Sequence, residues 1–336
     1  MLIGNINTQT DVLLIAEIGN NHEGNFELAE RLISEAAQAG AQAVKFQTIE
    51  PERLVHPKET QRLKQLNGYA FSPQQHEQLA RRAEKENVLF LSTPFSLEAV
   101  DWLDDLLPAY KVASGDNNFL PLIKKVAQKD KPIILSTGMS DIKVVEQACQ
   151  TISRHATNSN GSAQVALLHC VSSYPTDPAD ANLSAMQLLP PLCDVIGYSD
   201  HTIGTEIAIA AVAAGARIIE KHFTIDKNYS DFRDHQLSAD PSDLKQLKKG
   251  IDEVSSWLGL QNKKILPSEE ATALAARRSI VLKEDVKQGA AITFSSLDWL
   301  RPGDGISPDQ TDNVINKKAK SDLAAGTVLT WDMVEA

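Results

Sequence analysis

From Val12 to Thr224, short β-branched and aliphatic runs alternate with stretches of helical periodicity. Eight runs read as strands: Val12–Ile18, Ala43–Thr48, Val88–Phe95, Ala109–Gly115, Pro132–Gly138, Val165–Val171, Val195–Thr202 and Arg217–Thr224. Between the first two, Phe26, Ala29, Leu32, Ile33 and Ala36 recur at helical spacing within Asn25–Ala39, and Gly40 follows as a stop. Ser72-Pro73 marks another helix start, a capping residue followed by a proline suited to the first turn. About eight strands with helices between them, in roughly this length, predict a (β/α)8 TIM barrel rather than an open doubly wound sheet. No Gly-x-Gly-x-x-Gly follows the first strand, which argues against a dinucleotide site.

Pro241–Leu258 reads as a closing helix, so the pattern assigns residues 1–258 to the barrel domain. Residues 259–276 are polar, with Pro267 and a charge cluster, and read as a linker. Residues 277–336 change character. Strand-like pieces at Ser279–Leu282, Leu297–Leu300 and Val328–Leu329 are separated by Gly and Pro, including Arg301-Pro302-Gly303-Asp304-Gly305. They predict a small second domain, of a size that often needs outside support.

Composition narrows the function. With 336 residues the chain can bury a full core and carry an appendage. A net charge of −11 argues against a nucleic-acid or anionic-membrane surface, so an anionic substrate requires a local basic cluster. Cys149, Cys170 and Cys193 are widely spaced without a C-x-x-C pair, which suits a reduced, cytoplasmic protein. No basic region followed by an apolar core opens the sequence, so no signal peptide is expected. The most apolar helical stretch, Ile207–Ile219, is too short to span a bilayer and contains Arg217.

Polar residues gather where the predicted strands end, the position from which such barrels draw their catalytic groups. They include Glu17, Lys45, Gln47, Lys111, Ser114, Ser136, His169, Ser172 and Tyr174. A lone strand-end lysine is usually solvated or salt-bridged. Lys45 and Lys111 beside Ser114-Gly115 and Ser136-Thr137-Gly138 instead suggest an anion site with the charge and donors a phosphate needs. His201 and His222 end consecutive strands at matching depth. A pair of hydrogen-bonded structural histidines is the plain alternative, but the matched depth points to metal ligands. Two imidazoles leave positions open for water and substrate oxygens, which suits Mn2+ better than a closed structural zinc site. His22 and His169 read as wall residues, and Cys170 as a small buried hydrophobe.

Together these residues resemble the sialic acid (nonulosonate) synthase family over nearly the whole chain. The resemblance is carried by Ala16-Glu17-Ile18-Gly19-Asn20-Asn21-His22-Glu23-Gly24, Val44-Lys45-Phe46-Gln47-Thr48, Ser92-Thr93-Pro94-Phe95, Lys111-Val112-Ala113-Ser114-Gly115 and Leu135-Ser136-Thr137-Gly138-Met139. It continues through His169-Cys170, Tyr174-Pro175, Ser199-Asp200-His201-Thr202, Glu220-Lys221-His222-Phe223-Thr224 and Asp234-His235-Gln236-Leu237-Ser238. Residues 277–336 resemble the antifreeze-like (SAF) domain of these enzymes, with Arg301-Pro302-Gly303-Asp304-Gly305 as its functional loop.

The resemblance implies condensation of phosphoenolpyruvate with the open-chain aldehyde of an N-acylated hexosamine, releasing phosphate. It places Mn2+ or Mg2+ on His201 and His222, and phosphoenolpyruvate among Lys45, Lys111, Ser114 and Ser136. Glu17 becomes the acid/base candidate, with Asp234 binding sugar hydroxyls or orienting water. Gln47, Ser172, Tyr174, Ser199 and Arg301 fall on the sugar side. A domain-swapped homodimer, in which the small domain caps the partner's barrel, is also implied. Two departures leave the acceptor open. Ser172 stands where bacterial N-acetylneuraminate enzymes commonly have Asn, and Asp116 where many relatives have Glu. N-acetylmannosamine, its phosphate and a diacetamido-trideoxyhexose all remain candidates. The competing readings are a Schiff-base aldolase using Lys111 or Lys45, and a non-catalytic carbohydrate- or ice-binding protein.

Overall fold

The computed structural model describes residues 1–157, 164–259 and 262–335. The chain divides into two compact units, Met1–Gly259 and Leu260–Ala336.

The first unit opens with a hairpin, β1 (Leu2–Ile3) and β2 (Ile6–Asn7). Eight parallel strands follow: β3 (Leu13–Gly19), β4 (Ala43–Thr48), β5 (Leu89–Pro94), β6 (Tyr110–Val112), β7 (Ile133–Ser136), β8 (Val165–Cys170), β9 (Val195–Asp200) and β10 (Ile218–His222). Hydrogen bonding runs in the order β5-β4-β3-β10-β9-β8-β7-β6, and β5 packs beside β6 to complete the ring. This is the predicted (β/α)8 barrel, with every predicted strand in place.

Local chemistry fixes the outer layer. Asn25 accepts a hydrogen bond from the Leu28 N–H and starts the helix Phe26–Gln38. Ser72 and Gln75 form a capping box at Pro73–Lys85, and Asp240 and Asp243 form another at Pro241–Leu258. Between β8 and β9 the crossover is made of 3-10 turns at Pro178–Asp180, Leu183–Leu188 and Pro190–Leu192. Prolines there cannot sustain an α-helical ladder. Among the described residues, no helix is long and apolar enough to cross a membrane.

The two-residue period of a strand sorts the barrel's side chains. Outward positions such as Leu14, Val44, Phe90, Leu135, Leu167 and Ile219 pack under the helices. Inward positions divide by height. Leu13, Ile15, Ala43, Leu91, Ile134, Ala166, Leu168 and Ile218 form an apolar plug with Met1 and Ile3 of the opening segment. Above that plug the same faces turn polar. Gly197 is required inside it: an added Cβ would lie 2.4 Å from Leu168 Cδ2 and 2.5 Å from the Ile218 carbonyl oxygen.

In the second unit, β11 (Ser279–Leu282) pairs antiparallel with β12 (Leu297–Leu300), and Val328 makes only a single bridge to Val281. Ile280, Leu282, Ile292, Leu297, Ile306 and Leu329 are buried in a core of their own. The predicted linker, residues 259–276, is not wholly irregular. It contains a turn, Pro267–Glu269, and a helix, Glu270–Ala276. The Gly303 N–H donates to the Leu274 carbonyl oxygen at 2.7 Å, which ties that helix to the second unit's own loop. Residues 260–261 of the predicted linker lie outside the described residues.

Candidate active site

One step above the apolar plug, the inward positions are Glu17, Lys45, Lys111, Ser136, Ser199 and Glu220, lining a cavity of about 190 Å³ at the C-terminal end of the barrel. Strand register makes Glu17 and Lys45 neighbours, and Lys45 Nζ lies 2.6 Å from Glu17 Oε2. Gln47 Nε2 donates to Glu17 Oε1 at 3.1 Å and Lys45 Nζ to Thr93 Oγ1 at 3.2 Å. Lys111 Nζ donates to Ser136 Oγ at 2.7 Å. Glu220 stands between the lysines, 3.6 Å from Lys111 and 3.8 Å from Lys45, and accepts from Ser199 Oγ at 3.0 Å. Both lysines and both glutamates are buried.

Buried charges at these spacings alter one another's proton affinity. Burial raises Glu17, and the Glu220 charge raises it further against the pull of Lys45. Burial also acts on Glu220, but Lys111 and Lys45 outweigh it and hold this carboxyl below its ordinary range. The two carboxyl groups are thus shifted in opposite directions, Glu17 upward and Glu220 downward. Burial pulls Lys111 down, and Lys45 adds to that. For Lys45 burial acts the same way, yet Glu17 and Glu220 more than restore it.

At the rim, His201 and His222 have ring centroids 5.4 Å apart, with Tyr174 4.2 Å from His201. His201 Nδ1 donates to the Val171 carbonyl oxygen at 2.8 Å, which leaves its Nε2 with a lone pair. His222 Nδ1 is buried and finds no hydrogen-bond partner among the described residues. Burial holds its imidazole well below the ordinary range, and the His201 and Lys45 charges push the same way. Burial lowers His201 too, but the hydrogen bond and charge at Cys170 outweigh it and raise this imidazole. In their neutral forms the two rings have lone pairs that fit a divalent cation. Among the described residues no group of three or more His, Cys, Asp and Glu could hold a metal, so these two would leave most of its coordination to other oxygens.

Beside Lys111, Gly138 makes room for hydroxyls. A Cβ there would sit 2.4 Å from Ser172 Oγ and 2.8 Å from Ser114 Oγ. Ser114, Ser136 and the Lys111 ammonium converge as a set of donors suited to an anion. Cys170 is buried, as expected of a small hydrophobe, with its Sγ 3.4 Å from Ser114 Oγ and 3.7 Å from His201 Nδ1.

Of the residues singled out by sequence, Glu17, Lys45, Gln47, Lys111, Ser114, Ser136, Tyr174, Ser199, His201, His222 and Asp234 line this one cavity. Ser172 lies behind the lining, its Oγ 3.9 Å from Cys170 Sγ. Arg301 belongs to the second unit, where it is exposed. His22 and His169, expected as wall residues, do not line the cavity: His22 stacks on Phe71, and His169 Nε2 meets the Ala181 carbonyl oxygen at 2.9 Å. Glu220 received no role from the sequence, although it stands two residues before His222 and so shares its face. Arg62 and Tyr69 also line the cavity, from the helix Thr60–Tyr69 that the apolar pattern did not reveal.

An eight-stranded barrel with buried lysines and carboxylates beneath two rim histidines defines a class of C-terminal-rim barrel enzymes. The chain belongs to the NeuB family, whose model matches residues 32–263, and residues 277–335 match the SAF domain. It is 37% identical to N,N'-diacetyllegionaminic acid synthase of Legionella pneumophila over 96% of this chain and 94% of that protein. Human N-acetylneuraminate-9-phosphate synthase is 32% identical over 97% of this chain and 94% of its own length. A crystal structure of N-acetylneuraminic acid (sialic acid) synthetase from Leptospira borgpetersenii superposes with a TM-score of 0.75 at 34% identity, over 81% of this chain and 94% of that one. The chain is thus a member of the nonulosonic acid synthase family.

Proposed function

We propose that the protein condenses phosphoenolpyruvate with an open-chain N-acylated hexosamine and releases phosphate. The observation that carries this reading is the Lys45, Lys111 and Ser136 donor set buried with Glu17 beneath His201 and His222. Lys111, Ser114 and Ser136 hold the phosphate, and Lys45 supplies the second cation that a carboxylate-bearing phosphate ester needs. His201 and His222 would hold a divalent ion, Mn2+ or Mg2+, which would supply Lewis acidity at the sugar aldehyde. Glu17, raised towards its protonated form, gives a proton to the aldehyde oxygen as C3 of phosphoenolpyruvate bonds to the sugar's C1. Its carboxylate then takes a proton from the water that bonds to C2, and the new C2 hydroxyl gives its proton to the departing phosphate as the C2 carbonyl forms and the bond from C2 to the phosphate oxygen breaks. Asp234, with Gln47, Ser199 and Tyr174, orients the sugar hydroxyls.

The acceptor is N-acetylmannosamine, its phosphate or a diacetamido-trideoxyhexose. We place the protein in the cytoplasm, where its three free thiols stay reduced, and assign it a domain-swapped homodimer in which Arg301 reaches the partner's sugar site. The test is phosphate release from phosphoenolpyruvate with Mn2+ across a panel of these sugars. Release that needs one sugar and stops with chelator is expected. Borohydride trapping of pyruvate on a chelator-insensitive enzyme would instead establish Schiff-base chemistry at a lysine.

A further inference from the structure

Strand alternation gives the two histidine-bearing segments a second face. Ser199, Glu220 and His222 point into the barrel, so Asp200 and Lys221 point out beneath the helices. Outward positions on the strands are mostly apolar. Here an ion pair replaces them. Lys221 Nζ lies 2.7 Å from Asp200 Oδ2, with the two side chains 1% and 0% exposed. Asp200 Oδ1 accepts from the Thr202 backbone N–H at 3.0 Å and the Thr202 hydroxyl at 2.8 Å. Lys221 also donates to the Thr202 carbonyl oxygen. Strand register sets Lys221 directly beside Asp200.

A buried ion pair is a poor source of stability, because desolvation opposes the attraction and well-packed apolar side chains often serve as well. Its connectivity points elsewhere. His201 sits between Asp200 and Thr202, both held by one lysine, and that lysine immediately precedes His222. The His201 carbonyl oxygen is held as well, accepting from the Thr176 N–H at 2.9 Å. We propose that the Asp200–Lys221–Thr202 network is a positioning device that sets the spacing of the His201 and His222 imidazoles for one shared divalent cation. The inference rests on the metal reading of those two histidines. It gives a role to three residues that do not line the cavity.

The test titrates Mn2+ alone, read by electron paramagnetic resonance, against the wild type, Thr202→Val and the double variant Asp200→Leu/Lys221→Met. Thermal unfolding and calorimetric phosphoenolpyruvate binding are followed in parallel. The double variant should melt at or above the wild-type temperature while its Mn2+ dissociation constant rises about ten- to hundredfold, the range for residues that orient ligands. Phosphoenolpyruvate affinity without metal should stay close to wild type. Thr202→Val, which removes one hydroxyl, should shift Mn2+ affinity the same way by less, and it decides the matter if the double variant does not fold. Wild-type Mn2+ affinity in a folded variant overturns the inference alone. A wild-type protein that binds no Mn2+ removes the metal reading and the inference with it.

Discussion

At the residue scale, burial decides which groups can change charge and which must be balanced. Lys111 has a neutral partner in Ser136 and one carboxylate in Glu220 at 3.6 Å. A bound phosphate would compete for the same ammonium. Lys111→Met should therefore weaken phosphoenolpyruvate binding by about 2–5 kcal/mol, as for truncation of one member of a buried charge pair, with sugar affinity much less affected. Unchanged affinity for phosphoenolpyruvate in calorimetry would show that the anion sits elsewhere. Asp116 offers a test of stability. Burial pushes its carboxyl up to about 6, and its Oδ2 finds no partner among the described residues. Raised above its unfolded value, an acid penalises the folded state once ionised. That penalty is absent below about pH 3, grows as pH rises to about 6 and is complete above it. Asp116→Asn should then stabilise by roughly 1 kcal/mol near neutral pH, after allowance for solvent screening, with no gain at about pH 3. A gain of equal size at both pH values in thermal unfolding would rule out ionisation as the cause.

At the element scale, loops wall the rim of the cavity, where the proposed mechanism places the sugar, and one clasp fixes two of them. His235 is fully buried, with Nδ1 2.7 Å from Thr224 Oγ1 and Nε2 3.0 Å from Glu23 Oε1. Ser230 Oγ also donates to Glu23 Oε1, at 2.6 Å. The clasp joins the segment after β3 to the segment after β10, which carries Phe232, Arg233 and Asp234 to the cavity. Glu23→Ala should speed amide exchange across residues 226–238 by about tenfold or more while the barrel strands keep their protection, and raise the KM for sugar more than that for phosphoenolpyruvate. Equal exchange in both proteins would show that other contacts hold the loop. The barrel itself was legible because eight β-branched runs, each stopped by turn residues, repeat a single physical pattern. The helix Thr60–Tyr69 was not. It has little apolar periodicity and buries only Leu66. Tertiary contact holds it: Gly24, at φ +79°, brings its Cα so near the Gly68 carbonyl oxygen that a Cβ would lie 1.9 Å from that atom. Glu220 was readable in principle, since the period that turns His222 inward turns Glu220 inward too. Arg62 and Tyr69 were not, because contacts distant in sequence bring them to the cavity.

At the scale of the whole molecule, the second unit raises the question of where Arg301 acts. That unit buries its own core of aliphatic side chains, from Ile280 to Val334. Arg301 is exposed in a loop whose peptide bond to Pro302 is cis. The barrel cavity already contains the residues needed for an anion and two candidate metal ligands. An arginine that adds to it would act on the remaining component, the N-acyl group of the sugar, by donating hydrogen bonds to its carbonyl oxygen. In the proposed swapped dimer, each site combines Glu17, Lys111, His201 and His222 of one chain with Arg301 of the other. Arg301→Ala should raise the KM for sugar and leave Mn2+ and phosphoenolpyruvate binding intact. His222→Ala should remove turnover while its chain keeps a working Arg301. Each homodimer then lacks one part in both of its sites. In a mixed dimer, one site joins an intact barrel to an intact arginine, and the other lacks both. In assays at sugar well below the raised KM of Arg301→Ala, mixing the two variants should therefore restore activity, to at most about one quarter of the wild-type level, since random pairing makes half the dimers mixed and each mixed dimer holds one complete site. Mass spectrometry verifies the subunit exchange. No recovery despite complete exchange would place Arg301 over its own barrel or outside the reaction, and would remove the need for two chains at each site.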